Sequence, residues 1–167
     1  FSRYSFAMSM VHVTAQGARV VIAEEPDLRP DTDSLLRAVT NKTRMVVLAS
    51  PNNPVGQYIA RDELRRLHRE LAPGIVLLID SAYADDLVAG DFDDGASLVE
   101  AGANAVMTRT FSKLYGLAGL RIGWACAPAN IIDSIQRIRT PFKSSTDAMA
   151  AAAAAVRDVR YSRFVGD

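Results

Sequence analysis

Residues 108–123 read TRTFSKLYGLAGLRIG, and the one lysine in this stretch decides how the chain is interpreted. Lys113 follows an apolar run at 105–108 that predicts a buried strand. An ammonium group at the end of such a strand has to be paired or neutralised, because the protein interior has a low dielectric constant. A desolvated lysine has a lowered pKa and condenses readily with an aldehyde. The stretch therefore predicts a buried, reactive amine; the alternative is a solvated loop lysine beside a glycine-rich turn.

On both sides of this stretch, apolar runs alternate with amphipathic segments, which predicts an α/β fold with a mostly parallel sheet. Strands are predicted at 18–23, 43–50, 75–79, 104–110 and 120–125, and helices at 5–16, 33–39, 61–71, 96–101, 128–138 and 145–165. The last strand follows a tight glycine-rich connection, so an antiparallel orientation is open to it.

Three polar residues follow the predicted strands at regular intervals. Asn53 to Asp80 is 27 residues and Asp80 to Lys113 is 33 residues. Each interval is close to one βαβ unit of roughly 30 residues. Right-handed crossovers bring the carboxyl ends of parallel strands to one edge, where ligands bind in open α/β sheets. The spacing alone therefore predicts that an amide, a carboxylate and an amine converge on one crevice.

Composition excludes several other classes of protein. The chain has 167 residues with 19 basic and 19 acidic side chains, so a net charge of zero gives no support for a nucleic-acid or membrane partner. The single cysteine and two widely separated histidines predict neither a disulfide nor a metal site, and a cytoplasmic location is expected. Residue 1 is Phe and a predicted helix runs to the end, so the sequence is interpreted as an internal piece of a longer protein.

Three motifs in order resemble one enzyme family. Ser112, Lys113 and the glycines and arginine after them match S-K-x-x-G-L-x-G-x-R-x-G, the lysine signature of the fold-type I pyridoxal-phosphate (PLP) aminotransferases. The segments 53–56 (NPVG) and 80–83 (DSAY) are similar to the N-P-x-G and D-E-A-Y motifs of that family. The resemblance implies the three-layer large domain of the aspartate aminotransferase-like PLP transferases. Residues 1–167 would then be part of that cofactor-binding domain, without its N-terminal part and the C-terminal small domain.

The resemblance implies a catalytic role for three residues and cofactor binding for a fourth. Lys113 matches the Schiff-base lysine, which afterwards acts as the general base. Asp80 matches the acid that keeps the pyridine nitrogen protonated; the alternative is a helix N-cap. Tyr83 and Asn53 match the donors to the 3′-oxygen of the cofactor. The alternative for Tyr83 is a core tyrosine, and the alternative for the segment of Asn53 is a plain turn. Asn52 is interpreted as a turn residue.

The phosphate and the ring of the cofactor have candidate partners as well. Arg121 matches the arginine that grips the phosphate, and the hydroxyls of Thr110 and Ser112 would share that phosphate. The alternatives are a salt bridge for the arginine and ordinary strand-end polarity for the hydroxyls. Phe6 would stack on the pyridine ring, and Tyr4 is the other candidate residue for this role. The alternative interpretation of Phe6 is an aromatic residue of the core.

Within the family, residues 109–124 and the RTPF segment at 139–142 look most like histidinol-phosphate aminotransferases. That resemblance implies amino-group transfer between histidinol phosphate and 2-oxoglutarate in histidine biosynthesis. Its partners would be a small amino donor and a 2-oxo acid acceptor, in a homodimer. Ser9, Ser81, Asp86 and 143–144 depart from the usual pattern. Other PLP enzymes of this fold remain open, namely an aromatic aminotransferase, an amino-acid-phosphate decarboxylase or a non-catalytic PLP sensor.

Overall fold

A four-stranded open sheet carries the fold in the computed structural model, which describes residues 1–166. The strands are β1 (Met45–Ala49), β2 (Val76–Asp80), β3 (Ala105–Thr110) and β4 (Gly123–Cys126). The helices are α1 (Ala7–Ala15), α2 (Thr32–Arg37), α3 (Arg61–Glu70), α4 (Ala96–Glu100), α5 (Ala129–Ile138), α6 (Thr146–Arg157) and α7 (Val159–Gly166). None of the helices in residues 1–166 is long and apolar enough to cross a membrane.

The order of the strands confirms the predicted α/β sheet. They lie side by side as β1-β2-β3-β4; the first three are parallel, and β4 runs antiparallel to β3. Ala49 pairs with Asp80 and Asp80 pairs with Thr108, so the carboxyl ends of the three parallel strands meet at one edge.

The hydrophobic core lies between this sheet and the helices that connect its strands. Leu48 and Leu77 of the sheet and Leu64 and Leu67 of α3 are fully buried. The two leucines of α3 are three residues apart, so they lie on the same face of that helix. Burying each such side chain stabilises the fold by about 1.5–3 kcal/mol, and this packing fixes the strand ends in space.

The predicted strand at 18–23 is wrong. Only Ala23 pairs there, through a single bridge to Ser2, while Val21 and Ile22 are more than one-third exposed. A β-branched run has strand propensity, but a strand forms only where a neighbour supplies a ladder of hydrogen bonds.

The predicted single helix at 145–165 is also wrong, because it is broken at Asp158. The backbone of Asp158 is non-helical, and its carboxylate accepts a hydrogen bond from the Tyr161 backbone N–H at 2.9 Å. An aspartate in this position caps a new helix better than it continues an old one.

Candidate active site at the carboxyl ends of the parallel strands

Each of the three parallel strands delivers one of the predicted polar residues to the same edge of the sheet. Asp80 is the last residue of β2, Asn53 follows four residues after β1, and Lys113 follows three residues after β3. The predicted convergence of these residues on one edge is therefore confirmed.

Tyr83 joins the amide and the amine into one cluster. Asn53 Nδ2 donates a hydrogen bond to the Tyr83 hydroxyl oxygen at 3.2 Å. Lys113 Nζ lies 4.7 Å from the centroid of the Tyr83 ring, within the range of a cation–π contact. Because the hydroxyl oxygen accepts from Asn53, its own hydrogen is free to donate to a ligand.

The prediction that Lys113 is buried is wrong, since its side chain is exposed. The residue lies beyond the end of β3, in a turn where Phe111 and Leu114 occupy the buried positions. The chain turns apolar residues inward on both sides of the lysine, and this leaves the amine at the mouth of the site rather than in the core.

Asp80 is a half-buried carboxylate without an ionic partner among the described residues. Burial raises its pKa above the ordinary value, against the opposing effect of hydrogen bonds from the Ala82 backbone and the Thr108 hydroxyl. The Thr108 hydroxyl lies 3.4 Å from the carboxylate. A cation placed beside Asp80 would stabilise its charged form, so this end of β2 suits a positively charged ligand group.

A small cleft of about 380 Å³ adjoins the cluster. It is lined by Pro51, Asn52, Asn53, Pro54, Gly56, Tyr83, Asp86 and Leu87. Asn52 forms part of the turn, as predicted, since its carbonyl accepts from the Gly56 N–H at 2.8 Å. The residue as a whole, however, is only 3% exposed, and neither atom of its side-chain amide has a hydrogen-bond partner among the described residues.

Asp86 brings a second acidic group to the wall of this cleft. Burial and the neighbouring Asp85 charge raise the pKa of Asp86, and the Lys113 ammonium opposes that rise. The cleft wall therefore carries a carboxylate that senses the charge of the candidate amine.

The three predicted phosphate ligands are only partly assembled. The Thr110 hydroxyl accepts a hydrogen bond from the Ser112 backbone N–H at 3.0 Å, which ties those two residues together. Arg121 is exposed and donates to the Ala118 carbonyl at 2.7 Å, and no hydrogen bond in the described part of the chain joins it to the hydroxyls. Arg121 also has a φ of 51°, an unusual backbone conformation for a residue with a side chain, which often marks a functional turn.

Phe6 is not brought to the cluster by any hydrogen bond or aromatic pair within residues 1–166. It immediately precedes α1 and is 47% exposed. Its rival Tyr4 is also exposed and is held by its backbone N–H, which donates to Glu25 at 2.7 Å. A stacking role for Phe6 stays a prediction.

The sequence predictions missed a group of charges beside the site, here called the Arg109 cluster and formed by Arg109, Asp85 and Asp94. Arg109 lies on β3 and pairs with both carboxylates. An arginine inside a predicted buried strand, followed in the fold by an aspartate-rich segment at 85–94, was the signal that could have revealed it.

Fold and site together define a class of protein: an open α/β domain with an amine, a phenol, an amide and a half-buried carboxylate at the carboxyl edge of its sheet. Comparison with known families makes the class specific. The chain belongs to the aminotransferase class I and II family, whose model matches residues 2–165.

Relatives within the family carry a more specific name. The chain is 48% identical over 158 residues to the histidinol-phosphate aminotransferase of Nitrobacter hamburgensis, covering 95% of this chain and 43% of that protein. It is 46% identical over 161 residues to the Rhodospirillum centenum protein of the same name, covering 96% of this chain and 44% of that protein. The chain therefore spans less than half the length of these curated relatives.

Solved structures agree with the fold. The histidinol-phosphate aminotransferase of Sinorhizobium meliloti, in complex with pyridoxal-5′-phosphate, superimposes with a TM-score of 0.91 at 32% identity, covering 99% of this chain and 45% of that one. A Thermus thermophilus aspartate aminotransferase superimposes with a TM-score of 0.86 at 26% identity, covering 99% of this chain and 44% of the other.

Proposed function

We propose that the protein is a PLP-dependent aminotransferase that transfers an amino group between histidinol phosphate and 2-oxoglutarate in histidine biosynthesis. The observation that carries the proposal is the cluster of Lys113, Tyr83 and Asn53 at the strand edge next to the Asp80 carboxylate. The identity of 46–48% to histidinol-phosphate aminotransferases supports the choice of substrate.

The residues present fit the proposed cofactor. PLP has an aldehyde, a basic pyridine nitrogen, a 3′-oxygen and a phosphate, and a protein has to supply a partner for each. Lys113 offers an exposed amine, Asp80 a carboxylate without an ionic partner among the described residues, and Tyr83 a hydroxyl hydrogen that is not used by Asn53. Thr110, Ser112 and Arg121 are the proposed phosphate ligands, and Phe6 the proposed stacking residue.

When bound, the cofactor supplies an aldehyde for condensation with amines and a ring that withdraws electrons from the substrate Cα. Lys113 would hold that aldehyde covalently and, once displaced by the substrate amine, would carry the proton to and from Cα as a general base. Its position above the Tyr83 ring keeps the amine near the site after its release. Exposure of Lys113 gives a substrate direct access to it.

Asp80 would hold the proton on the pyridine nitrogen. Without a cofactor, burial raises the pKa of this carboxyl, so its negative charge is unfavourable. A protonated nitrogen beside Asp80 would stabilise that charge and would itself be stabilised by it. Tyr83 would donate its hydroxyl hydrogen to the 3′-oxygen, oriented by the hydrogen bond it accepts from Asn53. Asp80 and Tyr83 follow the end of β2 and Asn53 follows the end of β1, so the sheet aligns these groups.

Residues 1–167 are proposed to form part of the cofactor-binding large domain of the complete protein, a homodimer in the cytoplasm. Its partners are proposed to be the small amino donor and the 2-oxo acid acceptor.

The test is to load the complete protein with PLP, reduce it with borohydride and map the label by peptide analysis. The label should lie on Lys113, and Lys113→Ala should lose turnover of histidinol phosphate by about 10²–10⁴-fold or more, since it removes both the covalent attachment and the proton carrier. Lys143→Ala is the matched control, because it removes a lysine that the proposal does not use.

A label on Lys42 or Lys143 would contradict the assignment of the amine. Assays of the labelled protein with aromatic amino acids and with amino-acid phosphates would separate the proposed reaction from transamination of other substrates and from decarboxylation. A protein that binds PLP covalently but turns over no amino donor would overturn the proposed activity in favour of a sensing domain.

A further inference from the structure

The Arg109 cluster consists of charged side chains that are largely withdrawn from water. The Arg109 side chain is 14% exposed and that of Asp85 is 18% exposed, and the two are paired. Arg109 Nη1 also donates to Asp94 Oδ2 at 2.9 Å, and the guanidinium carbon lies 5.9 Å from the centroid of the Trp124 ring. Contacts with three separate residues hold the Arg109 side chain in one position.

This arrangement is not explained by stability alone. Two carboxylates share one guanidinium, and the buried Nε of Arg109 has no hydrogen-bond partner among the described residues. Buried ion pairs often contribute no more stability than apolar side chains of the same size, because the charges lose their hydration. What the cluster does provide is a fixed distance between the segments that carry its members.

The ion pair between Arg109 and Asp85 holds the segment that follows Tyr83. Asp85 lies two residues after Tyr83, in a short 3-10 turn at Ala84–Asp86 that begins directly after the tyrosine. The backbone N–H of Asp86 closes this turn by donating to the Tyr83 carbonyl at 3.2 Å. Pairing of Asp85 with Arg109 therefore fixes the Tyr83 turn against β3.

The ion pair between Arg109 and Asp94 holds the segment that precedes Tyr83. Ser81 is fully buried, and its hydroxyl donates to the Asp94 backbone carbonyl at 2.8 Å. Asp94 in turn is held by Arg109. The serine that replaces the usual glutamate of the family motif thus takes part in this bracing. Both flanks of Tyr83 are tied to Arg109, four residues before Lys113.

We propose that Arg109 is a positioning residue, which fixes the Tyr83 ring against the Lys113 amine and so sets the direction of the Tyr83 hydroxyl. This inference rests on the proposed function, in which that hydroxyl donates to the 3′-oxygen of PLP. A hydrogen bond to that oxygen stabilises its deprotonated form. A loosened Tyr83 therefore moves the pH midpoint of the visible absorption band of the loaded protein upward.

The experiment compares Arg109→Met with Arg66→Met in the complete protein. Arg66 is the matched control, because it too is an arginine paired with more than one carboxylate. Its three partners, Asp33, Glu63 and Glu70, lie on the outer surface of α2 and α3. Four quantities are measured: the pH midpoint of the visible band with PLP bound, kcat, KM, and deuterium uptake of residues 81–86 without cofactor.

For Arg109→Met we expect an upward shift of the pH midpoint, faster deuterium uptake at 81–86 and a fall in kcat of about 10–100-fold, since misplacement by about 1 Å has effects of that size. Arg66→Met should change none of these. Arg109→Lys should restore little, because an ammonium cannot bridge two carboxylates as a planar guanidinium does.

Removing Arg109 also leaves two partly buried carboxylates unpaired, which could lower stability by itself. The triple variant Arg109→Met, Asp85→Asn, Asp94→Asn removes that charge. It should regain thermal stability yet keep the shifted midpoint and the faster uptake.

A normal midpoint and normal uptake in the triple variant would overturn the inference. If the unaltered protein forms no visible band with PLP, the proposed function fails. The deuterium uptake of residues 81–86 still tests the role of Arg109 in that case, because uptake that Arg109→Met leaves unchanged would overturn the inference.

Discussion

The antiparallel pairing of β4 with β3 brings Gly123 too close to its neighbour for a larger residue. Gly123 lies opposite Thr110, and a Cβ built on Gly123 would be 2.6 Å from the Arg109 carbonyl oxygen. Ordinary contact begins at 3.4 Å, so Gly123→Ala requires the two backbones to separate by 0.8 Å (3.4 − 2.6). Main chain cannot rotate away as a side chain can. The substitution therefore has to displace β4 or the strand that leads to Lys113.

The magnitude follows from two losses and one gain. Overpacking of this kind costs about 1–3 kcal/mol. Weakening one neighbouring hydrogen bond, such as that from the Phe111 N–H to the Ile122 carbonyl, adds about 1 kcal/mol. Replacing glycine by alanine restricts the unfolded chain and returns about 0.4–1 kcal/mol. We expect a net loss in the free energy of unfolding of about 1–3.6 kcal/mol.

Urea denaturation of the complete protein without cofactor measures this loss. Gly119→Ala is the control, because Gly119 has no atom within 4 Å of the added Cβ and no left-handed φ. It changes the unfolded chain in the same way, so we expect it to be neutral or to stabilise by about 0.4–1 kcal/mol. The difference between the two variants therefore isolates the clash at Gly123 together with the hydrogen bond that the clash weakens. Equal free energies of unfolding for the two variants would refute the reasoning.

Three further predictions concern charge, capping and the core. Burial raises the pKa of Asp80 in the folded chain, so its ionisation destabilises the fold: in protein free of cofactor, Asp80→Asn should gain thermal stability relative to the parent as pH rises above 3.8, with the advantage vanishing below that pH. An advantage of equal size at every pH would contradict this. Ser145→Ala should cost about 1 kcal/mol in urea denaturation, because the Ser145 hydroxyl caps α6 by accepting from the Ala148 N–H at 3.1 Å. Ser144→Ala is its control, and equal losses in both would disprove the capping role. Leu67→Ala should cost about 2–5 kcal/mol because the side chain is fully buried in the core, far more than the same change at the exposed Leu120.

Local sequence was enough to predict the sheet and the positions of three site residues. Apolar runs identified β1, β2 and β3, and intervals near one βαβ unit predicted that Asn53, Asp80 and Lys113 meet at one edge. This worked because parallel strands joined by helices leave few possible arrangements. Strand propensity gave the wrong prediction where a strand also needs a neighbouring strand for pairing. Residues 18–23 have the composition of a strand but almost no neighbour to pair with.

The sequence by itself determined the class of fold, the family and the order of the candidate residues along the strand ends, since these depend on periodicity, spacing and motif. Only the tertiary structure decided that Lys113 is exposed above the Tyr83 ring, because that depends on which residues around the turn face inward. The Arg109 cluster was likewise decided only in three dimensions. Its members come from a strand, a turn and a loop up to 24 residues apart, and no local pattern encodes a contact that long-range packing creates.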